Sequence, residues 1–190
     1  MTVSSGSSSP GTWRFSDGSA VEFRMAREAW SIAARDILLR TAKSYHAYIT
    51  YAELAEQVQQ STGIRTRSQM RNWIGAVLGQ VADGCQSRGE PALTSLCVHA
   101  DGTIGDGYAH VLRIAGEEIP VDLELHAANA RFVCYRTFGA DLPTDGGRPA
   151  LTAKVAAARI RKTKKSETIS AFCPRCFVQV PVSGRCDSCD

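Results

Sequence analysis

"ITYAELAEQVQQSTGIRTRSQMRNWIGAVLGQVADGC" runs from Ile49 to Cys85, and each half of it opens with a helix-start signature. In the first half, Thr50 can accept from the amide of Glu53 while the Glu53 side chain returns to the amide of Thr50, the reciprocal pairing of a capping box. Ile49 and Leu54 take the hydrophobic-staple positions around it. A helix is therefore expected from Thr50 to about Gln60, stopped by Gly63 in a left-handed conformation. In the second half, Thr66 and Gln69 form another such box. It predicts a helix over 66–88, whose Met70, Trp73, Ile74, Val77, Leu78, Val81, Ala82 and Cys85 recur at helical spacing. Two capped helices joined by a short turn make a helix-turn-helix pair.

Outward from this pair, "ALTSLCVHADGTIGDGYAHVLRI" (92–114) reads as strand, glycine-rich turn and strand, so that a 98–110 hairpin would serve as a wing. On the other side, "TWRFSDGSAVEF" (12–23) reads as a small hairpin around Asp17-Gly18. A competing reading makes Ser19 a helix cap with Glu22 three residues on. Helices are expected over 25–44 and 120–139. The expected fold class is α+β: a winged helix-turn-helix core with additional helices and a small C-terminal four-cysteine zinc ribbon. The expected divisions are a disordered tail (1–11), the core with its flanking hairpin and helices (12–140), a basic linker or helix (141–170) and the ribbon (171–190).

Placed on a helical wheel, the 66–88 helix turns its apolar stripe one way and Ser68, Asn72, Gly75, Ala76 and Gly79 the other. Arg67 and Arg71 flank its N-terminal end and Arg65 stands just before it. A recognition helix needs amides and dipole aimed at phosphates, a small face for close approach, and Arg or Asn within reach of base edges. Arg65, Thr66, Arg67, Ser68, Arg71 and Asn72 are therefore candidate contacts to duplex DNA. The alternative is that Gly75 and Gly79 let another helix pack closely.

The 190 residues carry a net charge of only +3, but it is unevenly spread. Lys154, Arg159, Arg161, Lys162, Lys164 and Lys165 stand against Glu167 alone within 151–170. That local +5 leaves about −2 for the rest. Such a segment can track a phosphate backbone, or it can be a solvated linker.

The most specific motif is Cys173-x2-Cys176-x9-Cys186-x2-Cys189. Each two-residue gap lets a tight turn aim two thiolates at one ion, and two such knuckles complete a tetrahedron. Four soft ligands with no open position imply one structural Zn2+, with Phe177, Val180 and Val182 able to pack beside it. An 18-residue piece cannot bury a core of its own, so the metal would fold it. Arg175 and Arg185 adjoin the knuckles, offset by Asp187 and Asp190. The remaining Cys85, Cys97 and Cys134 lie singly in apolar patterns and are expected to be packing residues.

Together the motifs at 49–109 resemble the DNA-binding domain of the O6-alkylguanine alkyltransferases and alkyltransferase-like proteins, and similar segments that precede HNH nuclease domains. The resemblance implies duplex binding by the second helix. It also shows departures. Thr94 falls where that family keeps its acceptor cysteine, and Asn72 falls where it inserts an arginine into the duplex. His46, His99, His110 and His126 are scattered, so no HNH site is expected. Without an activated thiolate or a paired base, the expectation is no enzyme.

No apolar run reaches the ~20 residues a membrane helix needs, and "MTVSSGSSSP" is no signal peptide. With metal-type cysteine spacing, that favours a reducing cytoplasmic setting. Two functions follow: a non-enzymatic double-stranded DNA-binding protein in regulation, defence or repair, or an adaptor whose ribbon docks a separate enzyme such as a nuclease. Homo-oligomers are compatible with either.

Overall fold

The computed structural model describes residues 11–114, 116–167, 172–173, 175–178, 180, 186 and 189. Of the expected tail at 1–11, residues 1–10 lie outside the described residues, whereas Gly11 is held in place, its carbonyl accepting from the Arg67 amide and the Thr66 hydroxyl. Among the described residues the protein is a mostly helical α+β fold with six helices and two 2-stranded sheets. Two compact units divide between Thr152 and Ala153. No described helix is long and apolar enough to cross a membrane.

The first unit begins with β1 (Thr12–Arg14) and α1 (Phe23–Ala42). β2 (Ile49–Thr50) leads into α2 (Tyr51–Thr62), and the capping box forms as its sequence predicts. The Glu53 amide donates to Thr50 Oγ1 at 3.2 Å, and the Thr50 amide donates to Glu53 Oε2 at 2.8 Å. Ile49 and Leu54 are both buried in the same core. Gly63 ends the helix at φ 65°, a conformation that costs glycine least.

The next helix starts later than its sequence suggests. β3 (Ile64–Thr66) is followed by a 3-10 turn (Met70–Asn72), and α3 spans Ile74–Ser87. The second capping box does not form: Thr66 Oγ1 accepts from the Ser68 amide at 3.1 Å. The break falls at Trp73 (φ −137°), the bulkiest buried side chain of the segment, 1% exposed. Its ring lies 4.5 Å from that of fully buried Trp30 on α1. Tertiary packing of this pair overrides the local helix preference.

The N-terminal hairpin gains a second partner. β1 pairs antiparallel with β3, in register Thr12↔Thr66, Trp13↔Arg65 and Arg14↔Ile64. The local hairpin around Asp17-Gly18 is also present: Trp13 bridges Ala20, the Arg14 amide donates to the Ser19 carbonyl and the Val21 amide to the Thr12 carbonyl, both at 2.9 Å. Glu22, and not Ser19, occupies the N-cap of α1. The Trp30 indole N–H donates to the Ile64 carbonyl at 3.2 Å, which ties the ribbon to the core.

The wing is shorter than expected. Residues 93–96 form a second 3-10 turn, all four buried, and only Cys97–Val98 (β4) is strand, pairing in parallel with β2. A tight turn over 99–103 closes with the Val98↔Ile104 bridge. What reads as a return strand is instead α4 (Gly107–Ile114). Its Tyr108 and Leu112, one helical turn apart, pack in a satellite core with Ala127 of α5 (Leu123–Thr137). Asp122 caps α5, accepting from the Leu125 amide at 3.0 Å.

Beyond α5, the Arg148 amide and carbonyl both bond the Tyr45 hydroxyl, at 2.8 and 2.9 Å. A Cβ at Gly147 would come within 2.8 Å of that hydroxyl, so glycine allows the close approach. The second unit contains α6 (Ala153–Glu167) and the terminal cysteines.

Candidate nucleic-acid interface and metal centre

From Gly63 to Asn72 the chain carries three arginines and no acid. Arg67, Arg71 and Asn72 are exposed; Arg65, Thr66 and Ser68 are half-buried. Thr66 is the fixed point of the turn. Its amide donates to Gln59 Oε1 at 3.1 Å and its hydroxyl to the Gly11 carbonyl at 2.9 Å. Thr66 and the Ser68 amide are thus engaged within the turn, so the groups it offers outward are Arg65, Arg67, Arg71 and Asn72. Among the described residues no carboxylate pairs with any of the three arginines.

Gly75 and Ala76, in the first turn of α3, are exposed beside them. A Cβ built at Gly75 or Gly79 would meet nothing within 4 Å. Close packing of another element therefore does not explain these glycines among the described residues.

Two features of this surface escape sequence reading. Strand alternation places Trp13 and Phe15 on the same ribbon face as Arg65 and Arg67, while Thr12 and Ile64 turn inward and are buried. The Arg65 guanidinium lies 5.7 Å from the Phe15 ring centre, and that of Arg67 lies 5.5 Å from the Trp13 ring. The alternation of Trp13 and Phe15 was visible, but the partner strand 52 residues away was not.

The second feature is a cavity of about 330 Å³ between α3 and α4, lined by Tyr51, Arg71, Thr94, His99, Tyr108 and His110 among others. Thr94 Oγ1 is buried there without a hydrogen-bond partner. His99 and His110, scattered in the chain, thus share one recess. Next to Thr94, the Ser95 carbonyl accepts from Nη1 of Arg131, itself 2% exposed. Burial lowers the pKa of that guanidinium.

Cys85, Cys97 and Cys134 are buried, as expected of packing residues. Burial pushes the Cys97 thiol far up and raises that of Cys134 to about 12, so both are neutral near pH 7.

In the second unit Lys154, Arg159, Arg161, Lys162 and Lys164 are exposed on α6. The Lys165 side chain lies outside the described residues. Cys173, Cys176, Cys186 and Cys189 converge with their sulfurs all within 4.8 Å of one another. Cys173 and Cys189 Sγ are 3.7 Å apart, and Cys176 and Cys186 Sγ are 3.4 Å apart. A tetrahedral ion with bonds of ~2.3 Å holds its sulfurs about 3.8 Å apart, so the four can hold one metal ion. Backbone amides of Cys176 and Arg175 lower the Cys173 thiol, while hydrogen bonding with Cys176 and Cys173 raises that of Cys189, so the four sulfurs share their protons as one cluster. Among the described residues no other His, Cys, Asp or Glu group converges this way. Phe177 is 79% exposed and Val180 half-buried, so Phe177 does not pack beside the cluster as expected. Val182, Arg185, Asp187 and Asp190 lie outside the described residues.

No family model, curated protein or solved structure matches the chain. The likeness of residues 49–109 to the alkyltransferase DNA-binding domain therefore rests on the quoted motifs.

Proposed function

We propose that this protein binds double-stranded DNA without catalysing a reaction on it. The carrying observation is the turn at 65–72, in which Arg67, Arg71 and Asn72 are exposed and the three arginines have no acidic partner among the described residues. In this reading α2, the turn and α3 act as a helix-turn-helix. Arg65, Arg67 and Arg71 meet phosphates or base edges, and Asn72 reaches a base. The exposed Gly75 and Ala76 allow α3 to approach the groove. The 98–104 turn replaces the longer wing, and Lys154, Arg159, Arg161, Lys162 and Lys164 add phosphate contacts, with Lys165 in the same run. The ion at Cys173, Cys176, Cys186 and Cys189 is zinc in a structural role, because four thiolates leave no position for substrate.

The test is fluorescence anisotropy of a blunt 20-base-pair duplex with the full chain at moderate salt. Arg67→Ala with Arg71→Ala should weaken binding by about tenfold or more. Unchanged affinity, or no binding by the wild type at low salt, would remove the reading.

A second reading is an adaptor that docks a separate enzyme through the cysteine unit. Phe172, Phe177 and Val178, 59%, 79% and 49% exposed beside the cluster, favour it. It predicts that metal removal abolishes partner docking while no duplex binds.

A further inference from the structure

The outward face of the β1–β3 ribbon pairs two aromatic rings with two cations. Register sets Trp13 opposite Arg65, and the Arg67 amide donates to the Gly11 carbonyl at 3.0 Å, which extends the ladder by one residue. At the other end the Phe15 amide donates to the Gly63 carbonyl at 2.7 Å, so the backbone under Phe15 is held. Each guanidinium sits diagonally across the ribbon on a ring: Arg65 on Phe15 and Arg67 on Trp13. Phe15 is nevertheless 73% exposed, a large apolar surface left in water on the held backbone just past β1.

A ring for the base and a cation for the adjoining phosphate is the combination by which proteins hold unstacked nucleotides. A duplex offers its bases only edge-on, because stacking hides their faces. Phe15 and Trp13 therefore have no use for an intact duplex, whereas Arg65 and Arg67 do.

We propose that this ribbon is a stacking platform for unpaired bases, so that the protein prefers DNA in which a single strand adjoins a duplex. Phe15 stacks on a base, Trp13 on its neighbour, and Arg65 and Arg67 neutralise the phosphates between them. The inference rests on the DNA-binding reading, because the two sites share those arginines.

Tryptophan emission provides a specific readout. Of the three tryptophans, Trp30 and Trp73 are 0% and 1% exposed, so Trp13 is the one a base can reach. The full, metal-loaded chain is titrated with a blunt duplex, the same duplex carrying a 3′ overhang of thymidines, and the thymidine strand by itself. The overhang should bind about tenfold more tightly than the blunt duplex and quench tryptophan emission. Phe15→Ala should abolish the preference, bringing the ratio of overhung to blunt-duplex affinity to about one. Trp13→Phe should abolish the quenching.

Equal affinity for blunt and overhung duplex would overturn the platform while the DNA-binding reading stands. Binding of the single strand with quenching, but no binding of either duplex, would remove that reading and with it the preference for a single strand adjoining a duplex. A preference that survives Phe15→Ala without quenching would put the unpaired base elsewhere, such as the recess at Thr94, and would also overturn the platform.

Discussion

The two units of this protein are held together by different physics. Residues 11–152 surround a core in which Trp30, Trp73, Leu38, Leu54, Val58, Val77, Leu93 and Leu96 are almost fully buried. The terminal cysteines instead converge four sulfurs on one point, with Phe172, Phe177 and Val178 left largely in solvent. Hydrophobic burial is spread over many contacts, so the first unit tolerates local change. Metal ligation is concentrated in four bonds and is lost as a whole. The arginine turn belongs to the first kind of structure, and its charge should persist when the second fails.

The largest effect should come from removing the metal. Structural zinc of this ligand type contributes on the order of 10 kcal/mol, so chelation should expose all four thiols to a thiol reagent. Thermal melting of the first unit should not move, and a common shift of both signals would deny that the units are energetically separate. Next in size is Trp30→Ala, expected to destabilise the first unit by about 3–5 kcal/mol in urea titration while metal content stays at one ion. Loss of metal in that variant would again break the contrast.

Thr50→Ala removes one partner of the capping box and should cost roughly 1 kcal/mol. Smallest is Gly79→Ala. A methyl there meets nothing within 4 Å, so the helix should gain about 0.5–1 kcal/mol. A loss of stability would mean that the α3 face is packed in solution.

What could be read from the sequence was local. The box at Thr50, the stop at Gly63, the cysteine spacing and the arginines near Thr66 all lie within a few residues of the partners that define them. The misreadings share one cause, namely competition from distant partners. β1 kept its local pairing with residues 19–21 and also took β3 as a partner, because the bond from Trp30 to Ile64 and the inward Thr12 and Ile64 join that ribbon to the core. The start of α3 moved because Trp73 meets Trp30. "GYAHVLRI" suits strand or helix by periodicity, and packing of Tyr108 and Leu112 with Ala127 of α5 decided it. The aromatic–arginine face depends on that same unexpected strand pairing, so no window of sequence could show it.

The measurement that bears most directly on the account is the salt dependence of duplex binding. The logarithm of the affinity of wild type for a blunt duplex should fall linearly with the logarithm of salt concentration, by about 0.9 for each phosphate neutralised. Replacing Arg67 and Arg71 together by alanine should make that slope shallower by nearly 2, whether or not the terminal metal is present. A slope identical in the two proteins would show that the turn at 65–72 does not meet the phosphate backbone.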